Sequence, residues 1–273
     1  MKKLIIIGGG NMGFAIASGI SKKGLFSNRS ILFIEKKSER VNYLKRMGYF
    51  ASNDLIKTIV KERKLVEVVI LAVKPGDFND SITLLKKSVQ KNTLVISILA
   101  GVKIKSLEFH LGKKQPIARI MPNTPCQIGE GISALAFNRN VTGKRKDKVR
   151  KIFASIGKTI EINENSFDLI TAISGSGPAY FCYFIESMID SGKKLGLNQK
   201  LSNKLILQTA KGTLLLLDKN NLSPNELRKS VTSPNGTTEA ALKTFQKKGL
   251  AKIIFSGINA AKERSIELGR LNK

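Results

Sequence analysis

The sequence predicts an α/β fold, with an N-terminal Rossmann-type domain over residues 1–163 and an all-helical C-terminal domain over residues 164–273. Three observations lead to this prediction. Continuous apolar runs alternate with amphipathic segments in the first part, as in a parallel sheet covered by helices on both faces. A glycine-rich turn directly follows the first apolar run. Beyond residue 163 no strand pattern occurs, and helix-length segments follow one another.

Composition excludes several function classes. The 273 residues, 42% of them hydrophobic, suffice for one or two globular domains. Cys126 and Cys182 lie far apart and His110 is the single histidine, which argues against structural zinc, a disulfide framework, a metal site and histidine-based catalysis. Because no run of about 18 apolar residues occurs, we expect a cytoplasmic enzyme without a membrane partner.

The formal net charge of +27 is the most unusual global property. Lysines and arginines are scattered along the chain, and aromatic residues make up only 6%. A nucleic-acid module usually concentrates charge or interleaves it with stacking aromatics, so we expect no specific nucleic-acid partner. Binding to nucleic acid stays open as an alternative, and the charge would in any case attract anionic cofactors and substrates.

The first turn carries the dinucleotide signature. A strand over Leu4–Ile7 leads into a helix from about Asn11, and three consecutive glycines rule out the unbroken apolar centre of a signal peptide. The G-x-G-x-x-G spacing suits a tight turn, close approach of a pyrophosphate and packing of helix on strand. The predicted cofactor-binding residues here are Gly8, Gly10, Asn11, Met12 and Gly13.

The end of the second strand, Ile31–Glu35, bears on cofactor choice. Glu35 is placed to accept a hydrogen bond from the 2′-hydroxyl of NADH, whereas Lys36, Lys37 and Arg40 could hold the 2′-phosphate of NADPH. The expected cofactor is therefore NADPH or NADH, with a lean to NADPH, and Glu35 and Lys36 join the cofactor-binding set. Ser38 is predicted to cap a helix that runs to about Arg46.

Two further apolar runs, Val68–Val73 and Leu94–Leu99, predict buried parallel strands. Ligands of such sheets bind beyond the carboxyl ends of the strands. We therefore expect the nicotinamide side to be lined by Ala72, Val73, Lys74, Pro75, Ala100 and Gly101. After a helix over Ile104–Leu111, a short strand enters the stiff loop Pro122–Pro125. Its stiffness suits a ligand-facing loop, with Asn123 as a further cofactor-binding candidate, but spacing alone slightly favours an ordinary turn.

The remaining segments complete the two domains. Strands over Ile132–Phe137 and Thr159–Ile162 flank a basic helix over Arg145–Ile156. The helices predicted for the second domain are Ser166–Ile173, Pro178–Leu195, Gln199–Leu217, Pro224–Ser230, a helix from Thr237 through Phe245, and Leu250–Leu268.

Two turns of the second domain suggest substrate contacts. Ser174 and Ser176 precede Pro178, which opens a nearly uncharged helix that must be buried on most sides and could serve oligomerisation. Pro234-Asn235-Gly236 signals a turn before a helix beginning with Thr237-Thr238. Free backbone N–H groups and two hydroxyls there would suit a small carboxylate, although either threonine could simply be an N-cap.

Six motifs in register resemble the Δ1-pyrroline-5-carboxylate reductase family over essentially the whole chain. They are GGGNMG, LAVKP at Leu71–Pro75, the end of VISILAGV, RIMPNTP at Arg119–Pro125, SGSGPAYF at Ser174–Phe181 and SPNGTTEAAL at Ser233–Leu242. The resemblance implies reduction of pyrroline-5-carboxylate to L-proline by NAD(P)H, the last step of proline synthesis. It also implies a homodimer or an assembly of dimers, formed through the helical domain.

The resemblance also assigns substrate-binding residues. Thr238 matches the threonine that hydrogen-bonds the substrate ring nitrogen, and is the catalytic candidate. Ser233, Gly236 and Thr237 match the carboxylate cradle, and Ser176 lies in the matching substrate-facing turn. Asn235 departs from the family pattern, where a second glycine is common. The β-hydroxyacid dehydrogenases are an alternative family with a similar central turn. They carry a catalytic lysine several residues into the helix that follows, whereas Pro178–Phe184 contains no lysine.

Overall fold

The computed structural model describes residues 4–53 and 66–271, which form two compact units. The first unit runs to Ser176 and also includes the C-terminal residues from Ala261 onward, and the second comprises Gly177–Ala260. The division into compact units therefore places residues 164–176 with the sheet. The change in composition that predicted the domain boundary lies between residues 163 and 164. The predicted boundary stays a proposal about which residues bind the cofactor and which bind the substrate.

The first unit is built on an eight-stranded sheet in the order β3-β2-β1-β4-β5-β6-β7-β8. Neighbouring strands are parallel except for β6 and β7, which are antiparallel. The predicted α/β class is confirmed. The strands are β1 Leu4–Ile7, β2 Ile31–Ile34, β3 Phe50–Ser52, β4 Val68–Leu71, β5 Leu94–Ser97, β6 Ile117–Met121, β7 Gly131–Phe137 and β8 Gly157–Glu161.

Both faces of the sheet are buried, as continuous apolar strands require. Along β1, Leu4 and Ile6 join one core cluster while Ile5 and Ile7 join the other, because successive side chains point to opposite faces. The carboxyl ends of β1, β2 and β4 lie side by side at one edge, since these strands are parallel neighbours. That edge is where a ligand of a doubly wound sheet is expected.

The α-helices of the first unit mostly follow the prediction. The helix Phe78–Ser88, which follows a 3-10 turn at Pro75–Asp77, was not predicted. Lys37 rather than Ser38 is the N-cap of the second helix, because Ser38 already has a helical conformation. The helices are α1 Asn11–Lys22, α2 Ser38–Arg46, α3 Phe78–Ser88, α4 Ile104–Leu111, α5 Lys144–Ala154 and α6 Phe167–Ile170.

The segment predicted as one helix over Ser166–Ile173 is instead a series of tight turns. A 3-10 turn at Glu164–Ser166 leads into α6, which is followed by a π-helical turn at Thr171–Gly175. Phe167 is fully buried against one sheet face, and Glu164 forms an ion pair of 2.9 Å with the buried Arg119. These contacts fix the segment to the sheet and explain why it groups with the first unit.

Within Gly177–Ala260 the described residues are helical, with no strand. The helices are α7 Gly177–Lys194, α8 Gln199–Asn220, α9 Pro224–Ser230, α10 Thr237–Lys247 and α11 Leu250–Leu271, the last of which continues into the first unit. Asn198 caps α8, and Ser223 with Glu226 forms a capping box on α9. Within 4–53 and 66–271, no helix combines the length and apolar character that a membrane crossing needs.

Within residues 4–53 and 66–271, the central helix α7 is left largely uncovered. Phe181 is 65% exposed, Tyr183 72% and Phe184 50%. The sequence predicted burial on most sides, because nearly uncharged helices are stable in water only when they are packed. The described part of the chain does not supply that packing.

Candidate functional site

The three motif glycines after β1 have three different local environments. Gly8 adopts φ +103°, and a Cβ there would lie 2.4 Å from the Ala72 carbonyl oxygen. A Cβ on Gly13 would lie 2.2 Å from the Gly8 carbonyl oxygen, so α1 packs directly on the turn. Gly10, the N-cap of α1, is exposed and has open space on its Cβ side. Two glycines therefore serve the fold, and Gly10 leaves room for a ligand.

A cleft of about 990 Å³ opens at this edge of the sheet, between the glycine turn and the ends of β2 and β4. Because α1 begins here, the unpaired backbone N–H groups of its first turn provide an anion site. Eight of the predicted cofactor-binding residues line the cleft, namely Gly8, Gly10, Asn11, Glu35, Lys36, Ala72, Val73 and Lys74. The cleft therefore fits a dinucleotide whose pyrophosphate lies against Gly10.

The carboxylate of Glu35 is held in place by the backbone around it. Its Oε2 accepts the Gly9 N–H at 2.8 Å, and its Oε1 accepts the Lys37 N–H at 3.0 Å. The neighbouring Lys36 ammonium donates to Asp80 at 3.0 Å and to Asp77 at 3.1 Å. The hydrogen bond to Asp80, then that to Asp77, raises the pKa of Lys36 above its ordinary value.

Arg40 is fixed to the same turn. Its Nε donates to the Gly9 carbonyl oxygen, and Nη2 lies 3.5 Å from the Gly10 carbonyl oxygen. The guanidinium lies 4.5 Å from the centre of the Tyr43 ring and 5.4 Å from that of Phe14. Arg40 therefore ties α2 to the glycine turn, a role that the sequence did not indicate.

Six of the predicted cofactor residues are not among those lining this cleft, namely Met12, Gly13, Pro75, Ala100, Gly101 and Asn123. Met12 is partly buried against the core, and Gly13 is buried beneath the turn. Gly101, which follows Ala100, adopts φ +78° and packs against α11, where its Cβ would lie 3.1 Å from the Gly269 nitrogen. Pro75 begins the 3-10 turn after β4.

Asn123 braces two loops rather than lining the cleft. Its Oδ1 accepts the Ile132 N–H at 3.0 Å, and its Nδ2 lies 3.4 Å from the Ser174 hydroxyl. The loop after β6 is thereby joined to the start of β7 and to the π-helical turn. The loop is held by these bonds as well as by the two prolines that suggested its stiffness.

Ser176 ends the π-helical turn, where its N–H donates to the Thr171 carbonyl oxygen at 2.9 Å. The turn packs closely on β6, since a Cβ on Gly175 would lie 2.4 Å from the Met121 methyl carbon. π-Helical turns cost hydrogen-bond geometry and are frequent at functional sites. Ser176 is partly buried at this turn.

The remaining predicted substrate residues lie together at the start of α10 in the second unit. Gly236 is the N-cap, and Thr237 and Thr238 are the first two helical residues, so neither threonine is the cap that the alternative reading required. The Gly236 N–H donates to the Ser233 carbonyl oxygen at 3.1 Å, and a Cβ on Gly236 would lie 2.4 Å from the Ser233 hydroxyl. Ser233, Gly236, Thr237 and Thr238 thus form one compact helix entry.

Asn235 adopts φ +59° in that turn, a left-handed conformation that asparagine tolerates better than most residues. Its N–H donates to the Glu239 carboxylate at 3.1 Å. The hydrogen bond from Lys243, then that from Asn235, lowers the pKa of Glu239. Asparagine therefore serves in place of the glycine common at this position.

The sequence missed several residues of the cofactor cleft. Asn53 follows β3, and Asp77, Asn79 and Asp80 flank the start of α3. Neither element was predicted, since β3 has only three residues and α3 begins within a turn. The spacing of the Asp77 and Asp80 side chains on one face of a turn would have been the available signal.

Comparisons with known proteins cover both parts of the chain. A family model described as pyrroline-5-carboxylate reductase dimerisation matches residues 164–268, and one described as NADP oxidoreductase, coenzyme F420-dependent, matches residues 3–101. The pyrroline-5-carboxylate reductase of Pseudomonas aeruginosa is 35% identical over 267 residues, covering 97% of this chain and 96% of its own.

Solved structures give the same picture. A pyrroline-5-carboxylate reductase from Coxiella burnetii superposes with a TM-score of 0.86 at 32% identity, covering 98% of both chains. Plasmodium falciparum pyrroline carboxylate reductase with NADP bound superposes with a TM-score of 0.84 at 33% identity, again covering 98% of both.

Proposed function

Because the chain belongs to the pyrroline-5-carboxylate reductase family, it reduces L-1-pyrroline-5-carboxylate to L-proline with NAD(P)H, and we propose how its residues divide this work. The observation that carries the assignment is similarity over nearly the whole length, at 35% identity to a reductase of that name. The reaction is the last step of proline biosynthesis. We propose that residues 1–163 bind the dinucleotide, and that residues 164–273 bind substrate and form the dimer.

Gly10 and the first turn of α1 hold the pyrophosphate of the cofactor in this proposal, with Asn11 beside it on the cleft wall. Gly8 and Gly13 shape the turn, while Ala72, Val73, Lys74 and Pro75 approach the nicotinamide end. Met12, Ala100, Gly101 and Asn123 are the remaining proposed cofactor-binding residues, and they do not line the cleft. The bound cofactor supplies the hydride, and the protein supplies position and exclusion of water.

The start of α10 binds the substrate. Ser233, Gly236 and Thr237 surround the carboxylate, which the helix N-terminus stabilises electrostatically. Thr238 donates its hydroxyl hydrogen to the ring nitrogen, where the electron pair of the C=N bond collects as the carbon accepts hydride. Ser176, at the end of the π-helical turn, is a further substrate-binding residue in this proposal. Since the C=N carbon is already electrophilic, alignment and this hydrogen bond suffice without a strong general acid.

A homodimer formed through the helical unit accounts for its exposed apolar surface. Leu214, Leu215 and Leu216 on α8 are 43–56% exposed, and Ile253 and Phe255 on α11 are 64% and 72% exposed. Soluble monomers rarely leave so many large apolar side chains in water. A second copy would bury this surface, and dimers could assemble further. We also propose a cytoplasmic location, which cell fractionation would test.

The primary test is oxidation of NADH and of NADPH by purified protein in the presence of pyrroline-5-carboxylate, with proline identified as product. Thr238→Ala should reduce kcat by at least tenfold while NAD(P)H binding is retained, because it removes the hydrogen bond to the ring nitrogen. Thr238→Ser should retain much of the rate. Thr244→Ala on the same helix, where the hydroxyl bonds the Ala240 carbonyl oxygen, is the matched control. Unchanged turnover in Thr238→Ala would remove Thr238 from the mechanism.

The dimer is tested by introducing a charge into the exposed apolar surface. Phe255→Asp should shift the protein towards monomer in sedimentation experiments, since a carboxylate would have to be buried without a partner. Phe109→Asp, at an 83% exposed position of the first unit, is the control and should leave assembly unchanged. Equal effects of the two substitutions would refute an interface on the helical unit.

A further inference from the structure

We propose that Glu35 makes this enzyme prefer NADH to NADPH, an inference that rests on the proposed function and specifies its cofactor. Glu35 follows β2 directly and lines the cleft on the same wall as Gly8 and Gly10. In dinucleotide-binding folds this position meets the adenosine ribose. The preference opposes the lean to NADPH suggested by the lysines and arginine that follow in the sequence.

The Glu35 carboxylate is held in position before any ligand binds. Two backbone N–H groups, those of Gly9 at 2.8 Å and Lys37 at 3.0 Å, each bind a different carboxylate oxygen. A carboxylate can accept about four hydrogen bonds, so each oxygen retains capacity for one more. The two free positions match the 2′- and 3′-hydroxyls of an unphosphorylated ribose.

The same carboxylate repels a 2′-phosphate. A phosphomonoester carries about −1.5 to −2 charges at neutral pH and has only acceptors to offer once ionised. Glu35 cannot turn away without giving up its hydrogen bonds to the Lys37 N–H and to the Gly9 N–H, which belongs to the turn that also shapes the pyrophosphate site. Binding of NADPH is therefore disfavoured both by repulsion between like charges and by the loss of those hydrogen bonds.

Two of the nearby cations, Lys36 and Arg40, are already engaged by other groups. Lys36 donates to both Asp77 and Asp80, two further carboxylates on the cleft wall. Arg40 directs Nε at the Gly9 carbonyl oxygen and stacks on Tyr43. A 2′-phosphate would thus meet three carboxylates, and among the described lining residues Lys37 and Lys74 are the cations that would remain to bind it.

The proposal is tested by measuring the binding of NADH and of NADPH separately, using titration calorimetry in the absence of substrate. The wild-type enzyme should bind NADH at least tenfold more tightly, about 1.4 kcal/mol. Glu35→Gln should remove most of that ratio by weakening NADH and strengthening NADPH. Glu35→Ser should do the same with a smaller side chain. Glu39→Gln is the matched control, because it removes the same charge from an exposed residue that does not line the cleft.

Four outcomes would overturn the inference: equal or tighter NADPH binding by the wild type, an unchanged ratio in Glu35→Gln, an equal change in Glu39→Gln, or no binding of either dinucleotide. Failure of the reductase function is a separate result. If the enzyme prefers NADH but does not turn over pyrroline-5-carboxylate, the substrate assignment is refuted while the role of Glu35 is supported. If it turns over pyrroline-5-carboxylate but prefers NADPH, the substrate assignment is supported while the role of Glu35 is refuted.

Discussion

Alanine substitutions at Gly10 and Gly13 should separate ligand binding from stability within one short motif. A Cβ at position 13 would lie 2.2 Å from the Gly8 carbonyl oxygen, whereas ordinary contacts begin at 3.4 Å. The clashing atom is backbone, so relief requires moving α1, at a cost near the upper end of about 1–3 kcal/mol. Alanine regains about 1 kcal/mol of helix propensity. Gly13→Ala should therefore destabilise the protein by about 2 kcal/mol.

Gly10 should behave in the opposite way. Its backbone, φ −64° and ψ −171°, is accessible to alanine, and its Cβ would meet nothing within 4 Å. The unfolding free energy of Gly10→Ala should stay within about 0.5 kcal/mol of wild type. The added methyl would occupy the place of the pyrophosphate, so dinucleotide affinity should fall at least tenfold, about 1.4 kcal/mol. Gly10→Val should abolish binding.

Both variants are measured by thermal unfolding at one protein concentration and by titration with NADH. For a chain of this size about 2 kcal/mol corresponds to a melting temperature lower by roughly 4–8 °C, which is expected for Gly13→Ala alone. Normal affinity in Gly10→Ala, or instability equal to that of Gly13→Ala, would refute the assignment of Gly10 to the ligand.

Two further substitutions and one chemical modification probe the support of the site. Gly269→Ala places a Cβ 2.9 Å from a backbone oxygen of the turn after β5 and should lower the melting temperature, whereas Gly257→Ala on the same helix has open space and should not. Glu164→Gln leaves the 2% exposed Arg119 without its counter-charge, and denaturant titration should show a loss of about 2–3 kcal/mol. Burial raises the pKa of the Cys126 thiol, so alkylation at pH 8 followed by mass spectrometry should modify it only after unfolding.

Much of the cofactor site could be predicted because its chemistry is local in sequence. The backbone demands on Gly8, Gly10 and Gly13 arise within six residues of one another, and a strand followed by a helix sets their context. The threonines of α10 were found for the same reason, since a turn signal and a helix start adjoin them. The family assigned by resemblance is confirmed by relatives that match nearly the whole chain.

Contacts between distant residues could not be predicted in this way. Lys36 meets Asp77 and Asp80 only because β2 and β4 flank β1, which brings together residues more than 40 positions apart. The segment 164–176 has helical composition, yet the Glu164 and Phe167 contacts break it into turns on the sheet. Such tertiary contacts override local propensity whenever a side chain is buried or a charge is paired.

The sequence by itself determined the alternation of strands and helices, the glycine turn and the helical second part, because periodicity and backbone freedom are properties of neighbouring residues. Only the tertiary structure decided which charges surround the ribose position and which apolar faces remain uncovered. Both depend on strand order and helix packing, which bring together groups that the sequence keeps apart.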